Sequence, residues 1–491
     1  MPSEVPDLHL VLTNILAVGP LLTSAFVELA TLFDVSVSRF ASSINGSLIM
    51  CIAGGSVIFN SLAVVYGKRP VYLITSVLLM VTSFWSAGSK SFSSLTAARC
   101  VQGFAMAPME ALIPASIGDV WFVHERGFRS AIFNLGVLGG INLASPIAGT
   151  IIQNYGWEVS FWIMGAFFAV QCILVFFFMP ESAYHRADVL NLDLGSHENV
   201  NDALKYEKEH ENRTERLEEP EKVSDADGNI VPGPSPRSAS VSSEKQSYLR
   251  ELLPYSGFNS DDNLLKIMLR PFTLLASPVV LWATLLFTTC ISWLVGISVT
   301  ISQIFSAPPY NFTVAQVGLT NLSSFVASLL ATIVAEPLTD GIARFMARRN
   351  GGVYEPEFRL PILISYLVFT TVGFFAWGQS AAAEDPWPVP VILCLGLINF
   401  GIQLGTTGIV AYVVDTHRDK ASEAFATMNF VKNAFAFGLT FYINDWIAKL
   451  GVRSTFFVIG GLTLAASLTT IPMYIYGKRA RSWIHRSKIV K

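Results

Sequence analysis

The sequence predicts an all-α membrane protein, with twelve transmembrane helices arranged as two six-helix pseudo-repeats. Three observations lead there. Of the 491 residues, 52% are hydrophobic and only 14% are charged, where a soluble domain carries about a quarter charged. Mean hydropathy is +0.49. The apolar residues fall into twelve runs, each near the ~20 residues that a helix needs to cross a ~30 Å hydrocarbon layer.

In chain order the runs lie near 10–30, 44–64, 70–88, 94–118, 129–152 and 160–179, then 277–301, 317–338, 360–378, 389–413, 424–443 and 455–476. They are called spans 1 to 12 below. Span 1 lacks a basic leader before it and is followed by many others, so it reads as a span rather than a signal peptide. The domains expected are an N-terminal half (1–182), a largely disordered cytosolic linker (183–270), a C-terminal half (271–476) and a basic tail (477–491). The linker mixes "KYEKEHENRTERLEEPEK" with "VPGPSPRSASVSSEK", a composition too polar to build a core, with a short helix expected in 201–219.

Charge sets the orientation. An even number of spans puts both termini on one side. Sixteen lysines and arginines, Lys68, Arg69, Arg126, Arg344 and Arg418 among them, sit on that side, against Arg39, Lys90, Lys449 and Arg453 on the other. Positive charge stays in the cytoplasm, so both termini are expected there. Asn311 begins an Asn-Phe-Thr sequence in the outer loop after span 7 and is the glycosylation candidate. The five cysteines all lie in apolar runs without CxxC spacing and read as small buried hydrophobes.

The halves repeat. Val64 ends span 2 where Asp340 ends span 8. Asp119 and Asp415 close spans 4 and 10, and Asn134 and Asn429 lie 295 residues apart in spans 5 and 11. Two six-helix repeats around a central cavity are a common plan of secondary transporters.

Ionisable groups inside a bilayer are costly and mark functional candidates. Arg99 and Glu110 in span 4 are eleven residues apart, about 16 Å along the axis and within about 20° of one face. Lys432 in span 11 shares a face with Asn429 and Asn433 and needs a partner from elsewhere. Gln102, Asn134, Asn399 and Gln403 complete the expected proton and substrate pathway, with hydrogen bonding between helices as the plainer role. Trp282 and Trp293 could stack on a ligand or fill the core. The expected cytoplasmic gate comprises Lys68, Arg69, Asp119, Arg126, Asp340, Arg344, Asp415 and Arg418. Within it Asp119 is paired with Arg126, Asp415 with Arg418, and Asp340 with Arg344 or Arg348. No phosphate loop, HExxH, GxSxG or metal-spaced Cys/His set appears, so neither an ATP-driven pump nor an enzyme is expected, and no cofactor or metal.

Five stretches in order carry a family resemblance. They are "YGKRP" after span 2, "ARCVQGF" in span 4, "GDVWFVHERG" at the inner ends of spans 4 and 5, "GVLGGINLASPIAG" in span 5 and "FMPES" after span 6. Together they resemble the major facilitator superfamily, and within it the fungal twelve-span drug:proton antiporter branch with its polyamine, cation and secondary-metabolite transporters. The resemblance covers the membrane portion and not the linker. It implies alternating access, proton coupling through Arg99, and a span 5 motif at Gly139, Gly140, Pro146 and Gly149. The sequence departs from the pattern at Asn60 and Val64, where the family has Gly and an acid, and at Ser145-Pro146, where it has Gly-Pro.

The function expected is proton-coupled efflux of a small organic molecule such as a drug, toxin or secondary metabolite. Proton-symport uptake of a polyamine or other organic cation is the alternative, and a non-transporting sensor a distant one. Expected partners are a small-molecule substrate, protons and the lipid bilayer, with no nucleic acid. The chain is expected to act as a monomer in the plasma membrane, with the vacuolar membrane as the other location.

Overall fold

The computed structural model describes residues 14–120, 123–179, 222–224, 230–232, 264–417 and 421–487. Among them nearly every residue is helical, because a helix satisfies its own backbone hydrogen bonds where no water is present to do so. Span 1 runs from a 3-10 segment, Asn14–Ala25, into Phe26–Leu32. Spans 2 to 6 are Val37–Tyr66, Lys68–Ala87, Phe92–Val120, Val123–Tyr155 and Trp157–Phe178. Spans 7 to 10 are Pro278–Phe305, Val314–Arg349, Pro356–Ala382 and Val389–Thr416. The helix Ala421–Leu468 holds span 11 and most of span 12, broken at Gly451 (φ 78°, ψ 161°). Thr470–Ser487 then prolongs span 12.

The break confirms the repeat. Gly156, between spans 5 and 6, has nearly the same backbone (φ 92°, ψ 161°). The two glycines stand at the offset that relates Asn134 to Asn429. A positive φ of this kind is open to glycine and strained for a side chain, so both halves turn the chain with the same device.

Burial separates inner from peripheral spans. In the most apolar window of span 7, 72% of residues are buried, against 28% in span 6. Ile163, Ile173 and Val170 on span 6 are more than half exposed, as expected of side chains that face lipid. Spans 2, 7 and 10 pack inside, and their seams hold most of the core. Trp282 and Trp293 belong to that core, edge-on to Tyr412 and Phe435, and neither lines the cavity described below. Glu28 is exposed near the end of span 1.

Three features lie outside the sequence reading. A helix, Leu264–Thr273, begins before the expected start of the second half. Arg270 pairs with Glu423 at 3.3 Å, and Phe272 meets Phe430 edge-on, so the helix is pinned to the start of span 11. Span 12 extends well into the expected tail. In the linker, Lys222–Ser224 pairs antiparallel with Ile230–Pro232 as a short ribbon in a separate compact unit (Tyr184–Leu253). The expected helix at 201–219 lies outside the described residues.

Candidate functional site

Between the two halves lies a cavity of about 110 Å³. Its walls come from spans 1, 2, 4, 5, 7, 8, 10 and 11, so neither half could enclose it alone. Aliphatic side chains make most of the surface. The charged groups are Glu110 and Lys432, and the neutral polar ones are five asparagines, Asn45, Asn142, Asn321, Asn399 and Asn433, with the hydroxyls of Thr23, Ser298 and Ser324.

The charges meet. Lys432 Nζ donates to Glu110 Oε1 and Oε2 at 3.1 and 3.2 Å, and Asn433 Nδ2 donates to Oε2 at 2.9 Å. Asn429 Nδ2 reaches the Glu110 backbone carbonyl at 3.4 Å. The Lys432 side chain is 7% exposed and that of Glu110 16%. Lys432 also lies 5.8 Å from the Phe287 ring centroid, and its carbonyl accepts from Ser292 Oγ. A buried charge needs a partner of opposite sign and further hydrogen bonds, and here each half supplies one member of the pair. The spacing of Asn429, Lys432 and Asn433 places all three on the face that span 4 meets.

Arg99 is elsewhere. It is fully buried, donating to Gln102 Oε1 at 3.0 Å and to the Gly19 carbonyl at 3.3 Å, with the Phe161 ring 5.5 Å away. Gln102 Nε2 passes the link to Ser83 of span 3 at 3.0 Å. The cation and acid of span 4 thus serve different neighbours, Arg99 spans 1, 3 and 6, and Glu110 the second half. Arg99 and Gln102 do not line the cavity. Asn399 lines it and donates to Ser324 Oγ and the Leu395 carbonyl, both at 2.9 Å. Gln403, one turn on, donates to Thr332 Oγ1 at 2.9 Å and ties span 10 to span 8 outside the cavity. The side chain of Asn134 lies outside the described residues.

On the face opposite the basic turns, the halves close on each other. Ser38 Oγ donates to Asp445 Oδ1 at 2.5 Å, Ser302 Oγ to the Ser24 carbonyl at 3.3 Å, and Asn321 Nδ2 to Ser145 Oγ at 3.2 Å. Spans 5 and 8 touch backbone to backbone there. A Cβ at Gly149 would stand 2.9 Å from the Val314 carbonyl, and one at Gly318 would stand 2.5 Å from the Ser145 carbonyl. Of the span 5 motif, Ser145, Pro146 and Gly149 therefore form this seam, and Gly139 and Gly140 lie about two turns earlier on the same helix. Asn311 is exposed in the loop on this face, and the next Thr313 caps the start of span 8.

At the basic face the described ion pairs other than Arg270–Glu423 gather on one stretch at the start of span 9, "YEPEFR". Arg359 Nε donates to Asp415 Oδ2 at 2.5 Å and to the Tyr354 hydroxyl at 3.0 Å. Its Nη1 donates to Asp340 Oδ1 at 3.1 Å. Tyr354 donates to Asp415 at 2.6 Å. Burial and the adjacent Asp415 carboxylate raise the Tyr354 phenol above its ordinary value, so it stays a hydroxyl. Glu357, itself buried, takes Arg481 through two bonds of 2.8 and 3.0 Å, and Glu355 takes Lys478 at 2.6 Å.

Sequence reasoning paired Asp340 with Arg344 or Arg348. Instead Arg344 donates to the Asp340 backbone carbonyl at 3.2 Å, and the carboxylate takes Arg359. The i, i+4 spacing was a real signal, but the guanidinium found the carbonyl and left the side chain for a neighbour across the loop. Arg69 is buried and caps the end of span 6 through the Phe176 carbonyl at 3.0 Å. Lys68 begins span 3. The side chains of Asp119 and Arg126, and Arg418 altogether, lie outside the described residues. Among the described residues no group of His, Cys, Asp and Glu is arranged to hold a metal.

The comparisons agree with this architecture. The model of the Major Facilitator Superfamily matches residues 10–440. An uncharacterised MFS-type transporter of Schizosaccharomyces pombe is 25% identical, over 89% of this chain and 77% of that protein. The MFS antiporter QDR3 of Candida albicans is 22% identical, over 83% and 68%. Among solved structures, the MFS proton:xylose symporter XylE superposes with a TM-score of 0.60 at 16% identity, covering 96% of each chain. Family, span plan and a cavity shared by two repeats converge: the chain belongs to the major facilitator superfamily, and it is an integral membrane transporter, not an enzyme.

Proposed function

We propose that the chain is a proton-coupled secondary transporter that exports a small organic molecule by alternating access, with its basic face in the cytoplasm. The observation that carries this reading is the Glu110–Lys432 pair, which joins the halves inside the cavity. A proton arriving on a Glu110 oxygen cancels the charge that holds Lys432 and Asn433. Spans 4 and 11 are then free to part, so protonation and the swing of the halves become one event. The structure is closed at the seam of spans 5 and 8, which under this orientation faces outside. Export is favoured by similarity to a protein named as an antiporter.

The residues Arg99 and Gln102 are proposed to hold span 4 against spans 1, 3 and 6 while Glu110 moves. The YEPEFR cluster is proposed as half of the cytoplasmic gate. Residence in the plasma membrane, monomeric action and glycosylation at Asn311 are part of the same proposal.

The test is reconstitution into vesicles with an imposed proton gradient, screened with amines, amino-acid derivatives and polyketide-like compounds. The expected flux runs against the proton flow and is lost in Glu110→Gln. Flux in the direction of the protons would make the protein an importer. Normal gradient-driven transport by both Glu110→Gln and Lys432→Met would remove the pair from the mechanism.

A further inference from the structure

We infer that the cavity is built for a compact aliphatic zwitterion, a molecule carrying both an ammonium and a carboxylate. The inference rests on the cavity being where the substrate sits, and on nothing about transport direction.

Among the described residues, two polar atoms in the cavity wall are buried without a hydrogen-bond partner. Asn142, on span 5, is 7% exposed, and its Nδ2 has no hydrogen-bond partner. Asn399, on span 10, is 3% exposed, and its Oδ1 has none either. Both residues line the cavity. Leaving a buried donor or acceptor unpaired is costly, and such groups call for an explanation. The Nδ2 asks for an acceptor on the ligand and the Oδ1 for a donor. One ligand must therefore bring both.

The ion pair sharpens the choice. A lone cation on Glu110 would strand the Lys432 ammonium, and a lone anion on Lys432 would strand the Glu110 carboxylate. Either leaves a buried charge uncompensated. A zwitterion replaces both partners at once, its ammonium on Glu110 and its carboxylate on Lys432, and the cavity stays neutral. The walls exclude other classes. Among the described residues no aromatic side chain lines the cavity, so a planar or quaternary ligand finds no ring there to stack on, and the volume suits a small solute.

The test is equilibrium binding to the purified full-length protein in lipid nanodiscs, with five probes of similar size or known class: 4-aminobutyrate, butylamine, butyrate, xylitol and tetraphenylphosphonium. We expect 4-aminobutyrate to bind most tightly. Its affinity should fall at least tenfold in Asn142→Leu, while the melting temperature of the ligand-free protein stays unchanged or rises, because Asn142 Nδ2 bonds nothing there. Asn399→Leu should weaken binding as well, with some loss of stability from its bonds to Ser324 and Leu395. Tighter binding of any other probe, binding of none, or an affinity indifferent to Asn142→Leu overturns the inference. The transport reading is judged apart, by Glu110→Gln under a proton gradient. It survives if another probe wins, and it can fail while 4-aminobutyrate still binds.

Discussion

Lys432 and Glu110 lie 322 residues apart in the chain and bond at 3.1 and 3.2 Å inside the cavity. Removing one partner strands the other, which in buried pairs costs about 3–5 kcal/mol. Removing both exchanges the pair for neutral surface. Glu110→Gln and Lys432→Met are each expected to lower the melting temperature of the detergent-purified protein. The double variant is expected to melt above either single. Strictly additive losses would show that the two side chains do not share one interaction.

The seam of spans 5 and 8 leaves no room at Gly318, where a Cβ would stand 2.5 Å from the Ser145 carbonyl. The obstacle is backbone, so a larger residue must push the spans apart. Gly318→Leu is expected to hold this face open. With the native cysteines replaced and Thr23→Cys placed in the cavity wall, a membrane-impermeant thiol reagent applied from this face should react several-fold faster in Gly318→Leu. Equal rates would mean that the seam is not the barrier.

Arg359 binds two carboxylates at once through separate nitrogens of its planar fork, a geometry that the single ammonium of a lysine does not reproduce. The Asp415 side chain is 18% exposed and that of Asp340 56%, so solvent screens the second far more. Arg359→Lys and Asp415→Asn are each expected to cost on the order of 1 kcal/mol, and Asp340→Asn a few tenths. Chemical denaturation of the three variants checks the order. An equal cost for both aspartates would show that burial does not set the strength of these bonds.

What the sequence could reveal follows from what is local. Apolar runs located the spans, because a bilayer demands length and hydropathy that any window reads, though spans 8 and 12 run on to Arg349 and Ser487, well past their expected ends. Charge asymmetry found the basic face for the same reason. Pairing across the bundle was not legible. Lys432 is marked as needing a partner and Glu110 as a costly acid inside the bilayer, yet only the packing of span 4 on span 11 brings them together. Arg359 was counted among the basic residues and given no role, because its partners lie 19 and 56 residues away. Glu357 escaped notice altogether. It sits at the edge of an apolar run, where an acid reads as solvated, and only the prolonged span 12 covers it with Arg481.

Val64 stands in the first half where Asp340 stands in the second, and it is 46% exposed. The second half therefore holds its turn after span 8 with an acid, while the first half lacks one at the matching place. Val64→Asp supplies it, four residues before Lys68 at the start of span 3. A bond made in only one access state lowers that state and delays departure from it. Turnover is expected to fall, and Val64→Asn, similar in size but uncharged, is expected to retain the wild-type rate. Equal turnover in all three proteins would show that the first-half turn carries no part of the gate. A fall in both variants alike would trace the effect to lost apolar contact rather than to charge.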